Sequence, residues 1–133
     1  GGGHDLAVGS QNFVVIMNHR EDRIVDKLDY QTSPGFCDGG TSRWDKWGLS
    51  GGGPLAICTD LAVLTPNPVS RELEIAAIYP FTTLEEVKER TGFPIRNAAG
   101  FKVVEPPTAE EIKILREQLD VTGDFTGWKK LFA

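Results

Sequence analysis

A chain of 133 residues, 40% hydrophobic and 25% charged, fits one globular domain with a sizeable core. Its 14 Lys and Arg stand against 19 Asp and Glu, for a formal net charge of −5. That balance argues against a general nucleic-acid binder, and no apolar run is long enough to cross a bilayer. The two cysteines, Cys37 and Cys58, form neither a metal pattern nor a disulfide framework. No metal is expected, and a reducing, cytoplasmic setting is the default.

Gly1, Gly2 and Gly3 open the chain, followed by His4 and Asp5. A glycine triplet normally sits between a strand and a helix, where the backbone must pass close to a ligand. With no strand ahead of it, the chain reads as the distal half of something larger, and a site on those glycines as half a site. Residues 5–10 suit a short helix ending near Gly9. Residues 13–17, Phe-Val-Val-Ile-Met, form an unbroken apolar run that predicts a strand covered on both faces. Residues 23–30 are amphipathic but too short to assign.

Residues 35–54 hold seven glycines with Phe36, Trp44 and Trp47 among them. Structureless loops of about twenty residues are uncommon and are often functional. The other reading is a surface excursion whose tryptophans pack on the body or on a partner chain. Residues 55–64 read as a second buried strand, interrupted by Thr59 and Asp60, with Cys58 a small buried hydrophobe. Asp60 in that setting needs a partner, for which Arg23, Lys27 or a backbone N–H would serve. Pro66-Asn67-Pro68 marks a turn, and residues 72–79 alternate as a half-exposed strand, so the two form a hairpin.

Two helices follow. Thr83 with Glu86 and Thr108 with Glu111 are capping-box signatures, and Gly92 is placed to stop the first helix. Ile112, Leu115 and Leu119 mark the buried stripe of the second, which runs to about Asp120. Beyond it, residues 121–133 carry Phe125, Trp128, Leu131 and Phe132, too apolar for a free end, and are expected to dock on this domain or a neighbouring chain. Strand, hairpin and two helices with glycine-rich connections predict an α/β domain built on an open mixed sheet with flanking helices.

Six segments in order resemble the β subunit of class I coenzyme A transferases, most closely that of the glutaconate CoA-transferase type. They are Gly1-Gly2-Gly3-His4-Asp5-Leu6; Val14-Val15-Ile16-Met17-Asn18-His19; residues 25–35, Val-Asp-Lys-Leu-Asp-Tyr-Gln-Thr-Ser-Pro-Gly; residues 48–54 leading to Ile57-Cys58-Thr59-Asp60-Leu61-Ala62-Val63; residues 83–93; and Glu105-Pro106-Pro107-Thr108. No one segment is decisive, but the ordered set covers nearly the whole chain to about Asp120. The resemblance implies the C-terminal half of a ribose-isomerase-like domain. Its partners would be an α subunit and a second β subunit in a heterotetramer.

It also implies nucleophilic covalent catalysis. A glutamate carboxylate attacks an acyl-CoA, and the released CoA thiolate returns to give an enzyme-bound thioester. A second carboxylic acid, dicarboxylic or keto, then takes the CoA. That glutamate belongs to the part ahead of the glycine element, and Glu21, Glu72 and Glu74 are not carried into its role. Gly1, Gly2 and Gly3 match the element implicated in the oxyanion hole. His4, Ser33, Pro34 and Gly35 are candidates for the acyl or CoA pocket. His19 is read as a hydrogen-bonded structural residue. No permanently bound cofactor is implied; the CoA thioester is substrate. Relatives on the same scaffold include acyl-CoA hydrolases and a decarboxylase, and a non-catalytic α/β interaction module is the reading from another class.

Overall fold

A computed structural model of the chain describes residues 2–127 and Lys129. Its centre is a five-stranded open sheet in the order β1-β2-β3-β4-β5, formed by β1 (Asn12–Ile16), β2 (Gly53–Cys58), β3 (Ala62–Pro66), β4 (Leu73–Ile78) and β5 (Arg96–Val103). The outer pairs, β1 with β2 and β4 with β5, are parallel, and the two inner hairpins are antiparallel. The sheet is therefore mixed, as the sequence predicts. The helices are α1 (Gly2–Gly9), a short α2 (Ser42–Asp45), α3 (Leu84–Glu89) and α4 (Ala109–Ile114), which continues into a π-helical turn at Leu115–Leu119.

The core gathers on the inner strands, where Leu64 and Ile75 are fully buried with Ala62, Ile78, Ile95 and Ile24 around them. Val87 reaches it from α3, which Thr83 opens by accepting from the Glu86 backbone N–H. Gly92 serves this packing, though not as a left-handed stop. Its N–H donates to the Ile24 carbonyl at 2.7 Å, and a Cβ there would stand 2.8 Å from the same oxygen. The site requires glycine because two backbones meet.

Several expectations are corrected. Residues 55–64 are two strands rather than one. The Thr59 hydroxyl accepts from Leu61 N–H (3.1 Å) and Ala62 N–H (2.9 Å), closing a tight turn between β2 and β3. Asp60 lies exposed in that turn, where it accepts from the His19 N–H at 2.6 Å. Residues 13–17 are not covered on both faces: β1 is an edge strand, with Val14 51% and Ile16 86% exposed. β5 has no local sequence signature, because Asn97, Ala98, Ala99 and Gly100 are poor strand formers and the strand exists by pairing with the open edge of β4.

The Ile112, Leu115, Leu119 stripe is not buried either. No residue of α4 is buried and Leu119 is 71% exposed. α4 is instead stabilised locally by the predicted capping box between Thr108 and Glu111. Phe125 stands 92% exposed, and Trp128, Leu131 and Phe132 lie outside the described residues.

The stretch 35–54 contains α2 and is tied down at several points. Gly40 N–H donates to the Ser70 carbonyl, and Trp44 Nε1 donates to the Gly51 carbonyl at 2.8 Å. Gly51 has φ +74 and lies so close to the Ser10 and Gln11 carbonyls that no side chain fits.

Candidate functional site

α1 begins at Gly2, so Gly2 and Gly3 form the first turn of the helix itself rather than a loop ahead of it. Gly1 lies outside the described residues. First-turn N–H groups have no intrahelical acceptor and carry the positive end of the helix dipole. Neither Gly2 nor Gly3 adopts a positive φ. A Cβ on Gly2 would meet nothing within 4 Å, and one on Gly3 would meet only the Ser33 hydroxyl, at 4.0 Å. Alanine fits both places and is the better helix former by about 0.5–1 kcal/mol. What glycine provides here is clear space in front of free donors.

His4, in that turn, lines a cavity of about 410 Å³. His4, Ser33 and Pro34 line it together, with Val8, Trp47 and Leu49 supplying the apolar wall. His4 Nδ1 donates to the Thr32 carbonyl at 3.0 Å. A carbonyl can only accept, so in the neutral ring the proton sits on Nδ1 and Nε2 keeps a lone pair. Gly35 does not line this cavity. It sits on the far side of the residue 32–35 segment, against two other cavities.

Asp38, Trp47 and Leu49 carry no sequence signal that marks them as site residues. The aromatic and glycine content of residues 35–54 marks the region but not those side chains. Asp38 Oδ2 accepts from Lys46 Nζ (2.8 Å), the Ser42 hydroxyl (3.1 Å) and Trp47 Nε1 (3.4 Å). The Lys46 ammonium, followed by the other two donors, holds its carboxyl below the usual range, so the cavity carries a carboxylate.

Behind the cavity lies Arg43 of α2, fully buried. Its Nη1 donates to the Gly35 carbonyl at 2.8 Å, and its Nη2 to the Ala7 and Ser50 carbonyls at 3.0 Å each. One guanidinium thus joins α1, the segment opposite it and the end of the glycine-rich stretch. Nothing in the local sequence distinguishes Arg43 from a surface arginine.

His19 sits at the end of β1, 1% exposed. Its Nδ1 lies 3.0 Å from the Thr59 hydroxyl and its Nε2 3.0 Å from the Thr91 hydroxyl. Both hydroxyls also reach a backbone carbonyl, Thr91 that of Val87 at 2.7 Å and Thr59 that of Ala62 at 2.9 Å. The ring clamps β1, the β2–β3 turn and the end of α3 together, as a structural histidine should. Burial pushes its pKa below the ordinary 6.5, against the opposing pull of Asp60. A base with a depressed folded pKa stabilises the fold above its unfolded pKa and loses that contribution as pH falls below it. The thermal midpoint is therefore expected to hold steady above 6.5 and fall on acidification below it. H19Q should flatten that step in a pH series of melts, and an unchanged step would assign it to other groups.

Among the described residues, no group of three or more His, Cys, Asp or Glu side chains could hold a metal ion. No helix there is long and apolar enough to cross a membrane.

No protein-family profile matches the chain. Individual relatives do. The β subunit of the 3-oxoadipate CoA-transferase of Pseudomonas knackmussii is 37% identical over 116 residues, 87% of this chain and 44% of that protein. The β subunit of the glutaconate CoA-transferase of Acidaminococcus fermentans is 36% identical over 121 residues, 90% of this chain and 44% of that protein. The crystal structure of glutaconate coenzyme A-transferase from the same organism superposes with a TM-score of 0.85 at 35% identity, over 94% of this chain and 47% of that one. Over most of its length the chain is homologous to the β subunits of CoA-transferases. It spans about half the length of the relatives it matches. The open mixed sheet with flanking helices matches the superposed 47% of the glutaconate enzyme's chain.

Proposed function

We propose that this chain forms part of a CoA-transferase β subunit, the half of its domain that carries the glycine helix, and that the α1 cavity receives the acyl-CoA thioester. The single observation carrying the reading is that His4, in the first turn of α1, lines one cavity with Ser33 and Pro34, while Gly3 of the same turn faces the Ser33 hydroxyl across open space.

In the reaction, a carboxylate attacks the thioester carbonyl, the C–S bond breaks, and a mixed anhydride and CoA thiolate result. The thiolate then attacks the enzyme side of the anhydride, releasing the first acid and leaving CoA on the enzyme as a thioester. An acceptor carboxylate takes the CoA by the same steps in reverse. Each attack places negative charge on the carbonyl oxygen. Rigid backbone N–H groups at a helix start, with its positive dipole, stabilise that charge.

Gly1, Gly2 and Gly3 are assigned this role, and their bare α-carbons let the thioester approach. His4 Nε2, with its lone pair free, accepts from an N–H of the bound substrate, and Ser33 faces the thioester from the opposite wall. The nucleophile is assigned to none of this chain's glutamates. Glu72 is engaged with Arg96 and Glu74 with Asn67. The names of the relatives favour a dicarboxylic or oxo acid as partner of the exchange and an α subunit as assembly partner; a second β subunit and a cytoplasmic setting are proposed on the sequence resemblance alone. Residues 121–133 are taken as a tail that docks in that assembly.

The test is exchange of labelled CoA between an acyl-CoA and a free dicarboxylate by the protein assembled with its α subunit. Exchange that requires both acids supports transfer. Acyl-CoA loss to water alone, with no labelled product thioester, contradicts it.

A further inference from the structure

On the other side of the residue 32–35 segment lies a second cavity of about 350 Å³, lined by apolar groups including Phe13, Val15, Ile57 and Leu73. Among the described residues Arg71 contributes the one charged side chain to its wall, and an adjoining cavity that shares Arg71, Phe36 and Leu73 adds Arg23, Asp26, Asp38 and Glu72. Arg71 stands in the hairpin between β3 and β4 with φ 69, a left-handed conformation fixed by the turn around Asn67, whose side chain accepts from Val69 and Ser70 N–H. Its guanidinium lies over the faces of Phe36 and Trp44, 5.0 and 5.4 Å from their centroids. Among the described residues it makes no ion pair and no side-chain hydrogen bond, and its Nε is buried without an acceptor.

An arginine held in this way is stacked but not neutralised. Stacking occupies the faces of the guanidinium and leaves its in-plane N–H fork available for a planar anion. We infer that this cavity is a binding site for an organic monocarboxylate with a compact apolar body, its carboxylate on Arg71 and its body against Phe13, Val15, Ile57 and Leu73. The apolar lining favours this ligand over the alternatives. A neutral ligand leaves the cation unpaired. A dicarboxylate would press its second charge onto apolar surface with no partner. The site is separate from the α1 cavity, so it stands or falls independently of the transferase reading.

The test is a titration of the full chain, followed by amide NMR, with hexanoate, hexanamide and adipate at constant ionic strength. Hexanoate is expected to give saturable shifts at Val15, Ile57 and Leu73, with hexanamide and adipate each at least about tenfold weaker. R71M should weaken hexanoate by about tenfold or more and leave hexanamide unchanged. Equal affinity for hexanoate and hexanamide, binding of adipate as tight as that of hexanoate, or full retention of hexanoate binding in R71M would each overturn the assignment. So would shifts confined to His4 and Val8, which line only the α1 cavity. Should R71M fail to fold, the contrast between hexanoate and its neutral amide in the unaltered chain decides.

Discussion

Gly3→Ala is expected to cut acyl-CoA turnover by the assembled enzyme by about 10²–10³ while leaving the fold as stable as before, or about 0.5–1 kcal/mol more stable. The two effects have opposite signs because they come from different atoms. In the folded chain the new methyl group meets only the Ser33 hydroxyl, at 4.0 Å, so no backbone has to move. Alanine also relieves the entropic penalty of glycine in a helix. The same methyl projects beside Ser33, on the wall of the cavity assigned to the thioester. There it displaces the carbonyl from the first-turn donors, and losing one such donor costs about 3–4 kcal/mol in the transition state. Melting curves and steady-state kinetics on the same preparation separate the two. A variant that loses turnover and stability together would show the glycines to be structural, and one that loses neither would remove them from the site.

The largest stability effect is expected at Arg43. Arg43→Met keeps much of the volume but deletes donors to the Ala7, Gly35 and Ser50 carbonyls. Each orphaned buried carbonyl costs about 1–3 kcal/mol, less where water enters. The expected loss is about 3–5 kcal/mol, read from the urea midpoint at unchanged slope. Arg43→Lys should recover only part of it, because a single ammonium cannot span three carbonyls held by a planar fork. Since Arg43 joins α1 to the segment facing it, the Lys variant should also raise KM for the acyl-CoA more than it lowers kcat. A loss below about 1 kcal/mol in Arg43→Met would mean that the three segments are positioned by other contacts.

The inner strands and the two threonine caps were legible because their signals are local. Alternation, a Pro-Asn-Pro turn and Thr-x-x-Glu act over a few residues, and Leu64, Ile75 and the caps at Thr83 and Thr108 stand where those patterns place them. What the sequence hides depends on partners far along the chain. β5 forms from weak strand residues because β4 offers it an edge. Gly92 is fixed by the approach of Ile24, and Arg43 by three carbonyls from separate segments. The apolar runs at β1 and α4 read as buried from composition alone, but burial depends on what covers a face, and Ile16 and Leu119 are open in this chain. At the site, the glycine turn, His4, Ser33 and Pro34 emerge through an ordered resemblance. Asp38, Trp47 and Leu49 join them only because the residue 35–54 stretch folds back onto α1. Ser33 and Pro34 border cavities on both sides of their segment, whereas Gly35 borders only those on the far side.

The central claim is that the first turn of α1 supplies the donors for the thioester oxygen. A crystal structure of the assembled protein with a non-hydrolysable acyl-CoA analogue measures it directly. The account predicts the analogue's carbonyl oxygen about 2.7–3.1 Å from a backbone nitrogen of the glycine turn, with Ser33 on the opposite wall. A carbonyl bound in another cavity, with that turn facing solvent, would contradict it.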